Sequence, residues 1–208
     1  MMLKRLLTMV TVVSLVFMLG ITAMAQDKTV YLEYENEEST DNYGPTIGLD
    51  WKVAEKWTVS GSYQLEGDGP NEATTSIGAA YAINKNLTAG LSYDMADSED
   101  SLCVELKGQH ALAEPWTLIG GIAYTDYAED NSADYDKLEL SLGTKYQFNK
   151  DLAAAVSYVN TDPSNGDRYD KFVLGADYAL NDYGVYFEYE ICDEDYNDKV
   201  TVGASYRF

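Results

Sequence analysis

Apolar residues occupy every second position over long stretches of this chain. Leu87, Ala89, Leu91, Tyr93 and Met95 do so, as do Leu138, Leu140 and Leu142, continued by Tyr146 and Phe148, and Phe172, Leu174, Ala176, Tyr178 and Leu180. A period of two belongs to a β-strand with one apolar face, because successive side chains point to opposite sides. The alternate positions are small or polar: Thr88, Gly90, Ser92 and Asp94 in the first stretch, and Lys137, Glu139, Ser141, Gly143, Lys145 and Gln147 in the second.

The strands recur with a phrase, glycine-x-x-aromatic-x-apolar. It reads Gly48 to Val53 with Trp51, Gly78 to Ile83 with Tyr81, Gly143 to Phe148 with Tyr146, Gly175 to Leu180 with Tyr178, and Gly203 to Phe208 with Tyr206. A degenerate copy at 107–112 puts His110 in the aromatic slot. All but the last copy run into a tight turn (54–56, 84–86, 113–115, 149–151, 181–182), after which alternation resumes toward a tyrosine. Each repeat is therefore one β-hairpin. An opening strand near Val30 to Tyr34, five hairpins and a closing strand from Val200 to Phe208 make twelve strands. An even number lets the first and last pair and close the sheet without an edge.

The apolar face carries its aromatic residues at the strand ends and mostly aliphatic residues between. Tyr63, Tyr93, Tyr124, Tyr158 and Tyr189 mark one end, with Tyr34. Trp51, Trp57, Tyr81, Trp116, Tyr146 and Tyr178 mark the other, with Tyr183 and Tyr206. A soluble sandwich concentrates its aromatics mid-strand, in a core. Two aromatic girdles around an aliphatic band suit an outward face crossing a bilayer, where amphipathic rings sit at headgroup level. Strands of about 9–11 residues match a tilted membrane strand. The connections at the tyrosine ends are the long ones and hold most of the acids, among them Glu35 and Glu37; Glu66 and Asp68; Asp94, Asp97, Glu99 and Asp100; Asp126, Glu129 and Asp134; Asp162 and Asp167; Asp193, Glu194, Asp195 and Asp198. Tight turns on one side and long loops on the other predict periplasmic turns and six long acidic extracellular loops.

Residues 1–25 stand apart: Lys4 and Arg5 precede an apolar run from Leu6 to Ile21 that ends in Ala23-Met24-Ala25. This reads as a cleaved secretory signal peptide, leaving an all-β transmembrane barrel over 26–208. Composition agrees, with 18 Tyr, 16 Gly and only 4 Pro. The net charge of −21 excludes nucleic acid as a partner, since the phosphates would be repelled. Cys103 and Cys192 are the only cysteines, placed by alternation on the inward face of strands nearly opposite each other, and two free thiols are expected.

The closing Gly203, Tyr206 and Phe208 resemble the terminal assembly signal of Gram-negative outer-membrane proteins. The resemblance implies recognition by the barrel-assembly machinery and an outer-membrane location among lipid and lipopolysaccharide. In size and in its aromatic-x-Phe ending the chain is similar to small monomeric porins of twelve strands, the oligogalacturonate and sialic-acid porins. Those channels take acidic sugars and have basic lumens, whereas the only arginine on this inward face is Arg207.

Alternation sends Glu33, Glu35, Asp50, Glu66, Asp94, Glu105, Glu139, Asp177, Glu188 and Glu190 inward, against Lys52, Lys107, Lys137, Lys145, Lys171, Lys199 and Arg207. Between them the wall is glycine, alanine, serine and threonine, which leaves room for water. The expected function is a water-filled channel for passive diffusion of small hydrophilic solutes. An acidic lumen and mouth favour cations over anions, unless the lumen charges pair across the wall and cancel. The alternative is a structural or binding barrel whose acidic loops bridge Ca²⁺ or Mg²⁺ to lipopolysaccharide or to partners. No resident cofactor or closed metal site is expected: the stretch 193–198 alternates oxygens as a calcium loop does, but lacks the glycine and the distant glutamate. Nor is catalysis. Outer-membrane phospholipases pair a histidine with a serine two residues on, but His110, the sole histidine, is followed there by Leu112 and stands in the periplasmic girdle.

Overall fold

The computed structural model describes residues 27–37, 42–65, 73–129, 134–193 and 197–208. The expected signal peptide, the loop acids Glu66 and Asp68, and Glu194 and Asp195 of the calcium-like stretch fall outside these residues. Twelve strands are described: β1 (Lys28–Glu37), β2 (Asn42–Ala54), β3 (Trp57–Gln64), β4 (Thr74–Asn84), β5 (Leu87–Met95), β6 (Glu99–Ala113), β7 (Trp116–Glu129), β8 (Tyr135–Gln147), β9 (Leu152–Pro163), β10 (Tyr169–Leu180), β11 (Tyr183–Cys192) and β12 (Lys199–Arg207). Each pairs antiparallel with its neighbours in sequence, and β12 returns to β1, closing the barrel. The seam runs in unbroken register from Thr29↔Arg207 to Glu37↔Lys199. Phe208 is fastened to it, its N–H donating to the Lys28 carbonyl at 2.9 Å and its carbonyl accepting from the Lys28 N–H at 3.2 Å.

Local chemistry explains the tight turns. Asn149 Oδ1 accepts from the N–H groups of Asp151 and Leu152 at 2.8 and 3.0 Å, and Asn84 Oδ1 from the N–H of Asn86 at 2.8 Å, so each asparagine folds its own turn. Asn181 takes the left-handed conformation, φ 55°, that asparagine tolerates better than most residues. Three hairpins shift register just before the turn, at Lys52/Ala54, Ala82/Asn84 and Ala111/Ala113, the same place in the repeat.

At the opposite end several acids assigned above to connections lie within strands. The strands run on past the girdle, so that Glu35, Glu37, Asp94, Glu99, Asp100, Asp126, Glu129 and Asp162 belong to strands, and only Ala96 to Ser98 join β5 to β6. Above the bilayer both faces of a strand meet water. Polar residues on both faces erase the alternation without breaking the backbone ladder.

Polarity is inverted relative to a soluble protein. Among the described residues only Ala153 and Val159 are buried apolar side chains, whereas Leu32, Leu142 and Phe172 are 57%, 60% and 52% exposed on the outer wall. A continuous apolar exterior of this kind calls for lipid as its solvent. At the turn end of this face rings pack across strands, Trp57 with Tyr81 at 4.9 Å, Trp116 with Tyr146 at 4.7 Å and Tyr183 with Tyr206 at 4.9 Å. At the other end Tyr93 donates to Asp100 at 2.8 Å and Tyr189 to Asp198 at 2.6 Å, joining that girdle to the polar rim. The Tyr189 hydroxyl, and then the Cys192 N–H, hold the Asp198 carboxyl below the usual carboxylate range.

Candidate functional site

The lumen is built by parity. On β11, Tyr186, Glu188, Glu190 and Cys192 point inward between the exposed Val185, Phe187 and Ile191; on β12, Lys199, Thr201, Gly203 and Ser205 do so between Val202 and Ala204. The same rule brings Asp50 and Lys52 of β2, Asp94 of β5, Glu105 and Lys107 of β6, Glu139 and Lys145 of β8 and Asp177 of β10 to the inner face. Cys103 and Cys192 are free thiols on β6 and β11.

Six of the inward charges form one chain of contacts. Lys137 reaches Glu139 at 3.5 Å, and Glu139 reaches Lys171 at 3.6 Å. Lys171 in turn meets Glu190 at 2.7 Å, Glu190 meets Lys199 at 3.2 Å, and Lys199 meets Glu35 at 3.3 Å. Positive and negative alternate along it from β8 to β1, across the seam. The middle is well shielded, the Lys171 and Glu190 side chains being 18% and 11% exposed. Each interior member touches two opposite charges, which offsets the cost of removing it from bulk water. Lower in the lumen Lys145 pairs with Asp177 at 2.9 Å, and Lys107 with Glu105 at 2.7 Å. The Arg207–Asp182 pair, at 4.0 Å, is exposed.

Aromatic residues complete the wall in a way the alternation pattern alone does not reveal. The Tyr31 ring lies over Gly48, its register partner across β1 and β2, and the Tyr186 ring over Gly203, its partner across β11 and β12. The Tyr186 hydroxyl donates to Glu33. These glycines of the repeat thus act as seats for neighbouring rings. At the outer mouth Tyr127 and Tyr135 stack at 4.5 Å, Lys137 lies 5.4 Å over the Tyr127 ring, and Tyr135 donates to Glu99 at 3.1 Å. The signal for Tyr31 and Tyr186 was available: an inward tyrosine opposite a repeat glycine on the adjoining strand.

Between the inner faces of β6 to β11 lies a cavity of about 400 Å³, lined by Glu105, Lys107, Glu139, Lys171, Glu188 and Glu190 together with Gly121, Ala123, Ser141 and Ser157. His110, by contrast, is exposed on β6 opposite Leu118, away from these groups.

Known structures share this architecture. The KdgM porin in complex with disordered oligogalacturonate superposes with a TM-score of 0.67 at 14% identity, over 86% of this chain and 99% of that one. The NanC porin gives 0.65 at 13% identity, over 88% and 99%. The fold is that of an outer-membrane β-barrel. It is not confined to porins, for the translocator domain of the autotransporter NalP from Neisseria meningitidis gives 0.56 at 16% identity, over 100% and 95%. No protein-family model and no curated protein matches the chain.

Proposed function

We propose that this barrel is a porin-like channel through which small hydrophilic solutes diffuse passively across the outer membrane, with a preference for cations. The observation that carries the reading is the polar cavity of about 400 Å³ inside a closed wall, continued by small residues on β3 to β5 such as Ser60, Ser62, Gly78, Ala80, Gly90 and Ser92. The porins among the structural neighbours support a channel. The oligogalacturonate of one neighbour is an acidic polymer; here five of the six inward lysines, Lys107, Lys137, Lys145, Lys171 and Lys199 but not Lys52, already hold carboxylates, which leaves an acidic solute little free positive charge. Glu33, Asp50 and Glu188 add negative charge without a cationic partner among the described residues, which favours cations. His110 stands outside the lumen, and no hydrolytic relay is assigned.

Single-channel recording of the refolded barrel in a planar bilayer under a potassium chloride gradient tests the reading. Discrete conductance with a potassium-favouring reversal potential is expected, weakening as salt shortens the screening length from about 10 Å at 0.1 M to about 3 Å at 1 M. Silence from a barrel that shows heat-modifiable mobility would falsify it.

A second reading draws on the outer rim. Asp126 and Asp136 face each other across β7 and β8 on the outward side, and Asp100 also points outward. Facing carboxylates repel unless a cation lies between them. Among the described residues no group of three or more metal ligands is gathered, so Ca²⁺ or Mg²⁺ held there would be shared with lipopolysaccharide phosphates. Loss of thermal stability on chelation in lipopolysaccharide-containing vesicles, and none in detergent, is the expected signature. Recognition of Gly203, Tyr206 and Phe208 by the barrel-assembly machinery belongs to the same proposal of an outer-membrane life.

A further inference from the structure

The charges lining the cavity can be assigned to partners one by one, and one carboxylate is left over. Glu105 is held by Lys107, Glu139 by Lys137 and Lys171, and Glu190 by Lys171 and Lys199. Glu188 lines the same cavity and has no hydrogen bond or ion pair among the described residues. The charges that face it are Glu190 of its own strand, Lys199 of β12, Lys171 of β10 and Glu33 of β1. Both lysines are engaged, each bridging two glutamates.

The immediate surroundings leave this carboxylate space. Its cross-strand partners are Gly175 on β10 and Thr201 on β12. A side chain carbon added at Gly175 would meet nothing nearer than 4.0 Å, so the flank of Glu188 toward the cavity is open. Ser141 and Ser157 contribute further oxygens to the same cavity. An unmatched carboxylate beside open polar volume, in a cavity whose other lining charges are paired, contributes most to the potential there, because neighbouring pairs fall off as dipoles and a single charge does not.

We propose that Glu188 is the cation site of the lumen: a small monovalent cation sheds part of its hydration onto this carboxylate as it passes, and Glu188 sets the channel's ion preference. The proposal rests on the channel reading above and sharpens it to one residue.

The test compares the wild-type barrel with Glu188→Gln, which keeps size and removes charge. Folding is checked by heat-modifiable mobility, and reversal potentials are read across a gradient around 0.1 M potassium chloride. The potassium-to-chloride permeability ratio is expected to fall about threefold or more in the variant, with conductance retained, as when one charge is removed from a selectivity site. Glu188→Ser, matching a residue type already frequent on this wall, is expected to show the same fall should the glutamine variant not fold. A wild-type potassium preference that persists unchanged in a folded variant overturns the site and leaves the channel standing. A wild-type barrel that conducts without preference, or not at all, overturns the channel's selectivity or the channel itself, and this site with it.

Discussion

From β8 round to β1 the lumen wall carries lysines and glutamates in continuous contact, whereas from β3 to β5 it presents Thr58, Ser60, Ser62, Ser76, Gly78, Ala80, Thr88, Gly90 and Ser92. The charged side holds its strands through side chains that reach past the nearest neighbour: Lys171 of β10 crosses β9 to reach Glu139 of β8. The side from β3 to β5 carries no ion pair among the described residues, only hydrogen bonds such as Ser101 to Asp94 at 3.3 Å, and its small residues keep the bore open. Comparing the two shows why counting inward charges is a poor guide to the field inside. Three lysines and three glutamates in alternation contribute little at a distance, and a single unmatched group contributes more.

Cutting the charged wall at its centre gives the largest expected effect. Lys171→Met leaves Glu139 and Glu190 each short of a partner and is expected to cost about 3 kcal/mol, since truncating one member of a shielded pair strands the other. Urea unfolding in detergent measures it, and an unchanged midpoint would mean that lumen water already carries these charges. The same variant is expected to raise potassium preference. Next in size is the ring seat at the seam. Gly203→Val drives a side chain into the Tyr186 ring and away from its bond to Glu33, for a loss of about 2 kcal/mol. Gly175→Val, where space is open, is expected to be nearly neutral; equal losses at both sites would refute the seat. On the neutral wall Ser92→Lys is expected to move the reversal potential toward chloride with less than about 1 kcal/mol of destabilisation, because its ammonium stays hydrated. Smallest is Asp182→Asn at the exposed 4.0 Å pair with Arg207, expected to change stability by under about 0.5 kcal/mol.

Strand number, hairpin order and the outward face were legible because the signal is local: a period of two assigns every side chain to a face once one is assigned, and the turn asparagines punctuate the strands. Parity likewise points Asp50, Lys145 and Glu188 inward without any coordinates. Which inward charges meet was not legible. Strand tilt and stagger decide which residue two strands away lies at the same height, and that shear is a property of the closed ring. The pairing of Glu139 with Lys171, and the isolation of Glu188, follow from it. The upper strand ends are less legible for a different reason: beyond the bilayer neither face needs to be apolar, so Asp94, Glu99 and Asp100 show a loop-like pattern while remaining in register.

The contact between Glu35 and Lys199 joins the first strand to the last. It spans almost the whole barrel sequence, and that loop-closure cost puts it among the slowest contacts to be made. Until then Glu35 lacks its lysine, and Lys199 is held from one side alone, by Glu190. The final rung therefore works as a latch: it secures the ring only when the count of strands and their stagger are both correct, and a chain that closes one strand short or out of step leaves like charges or empty hands at the join.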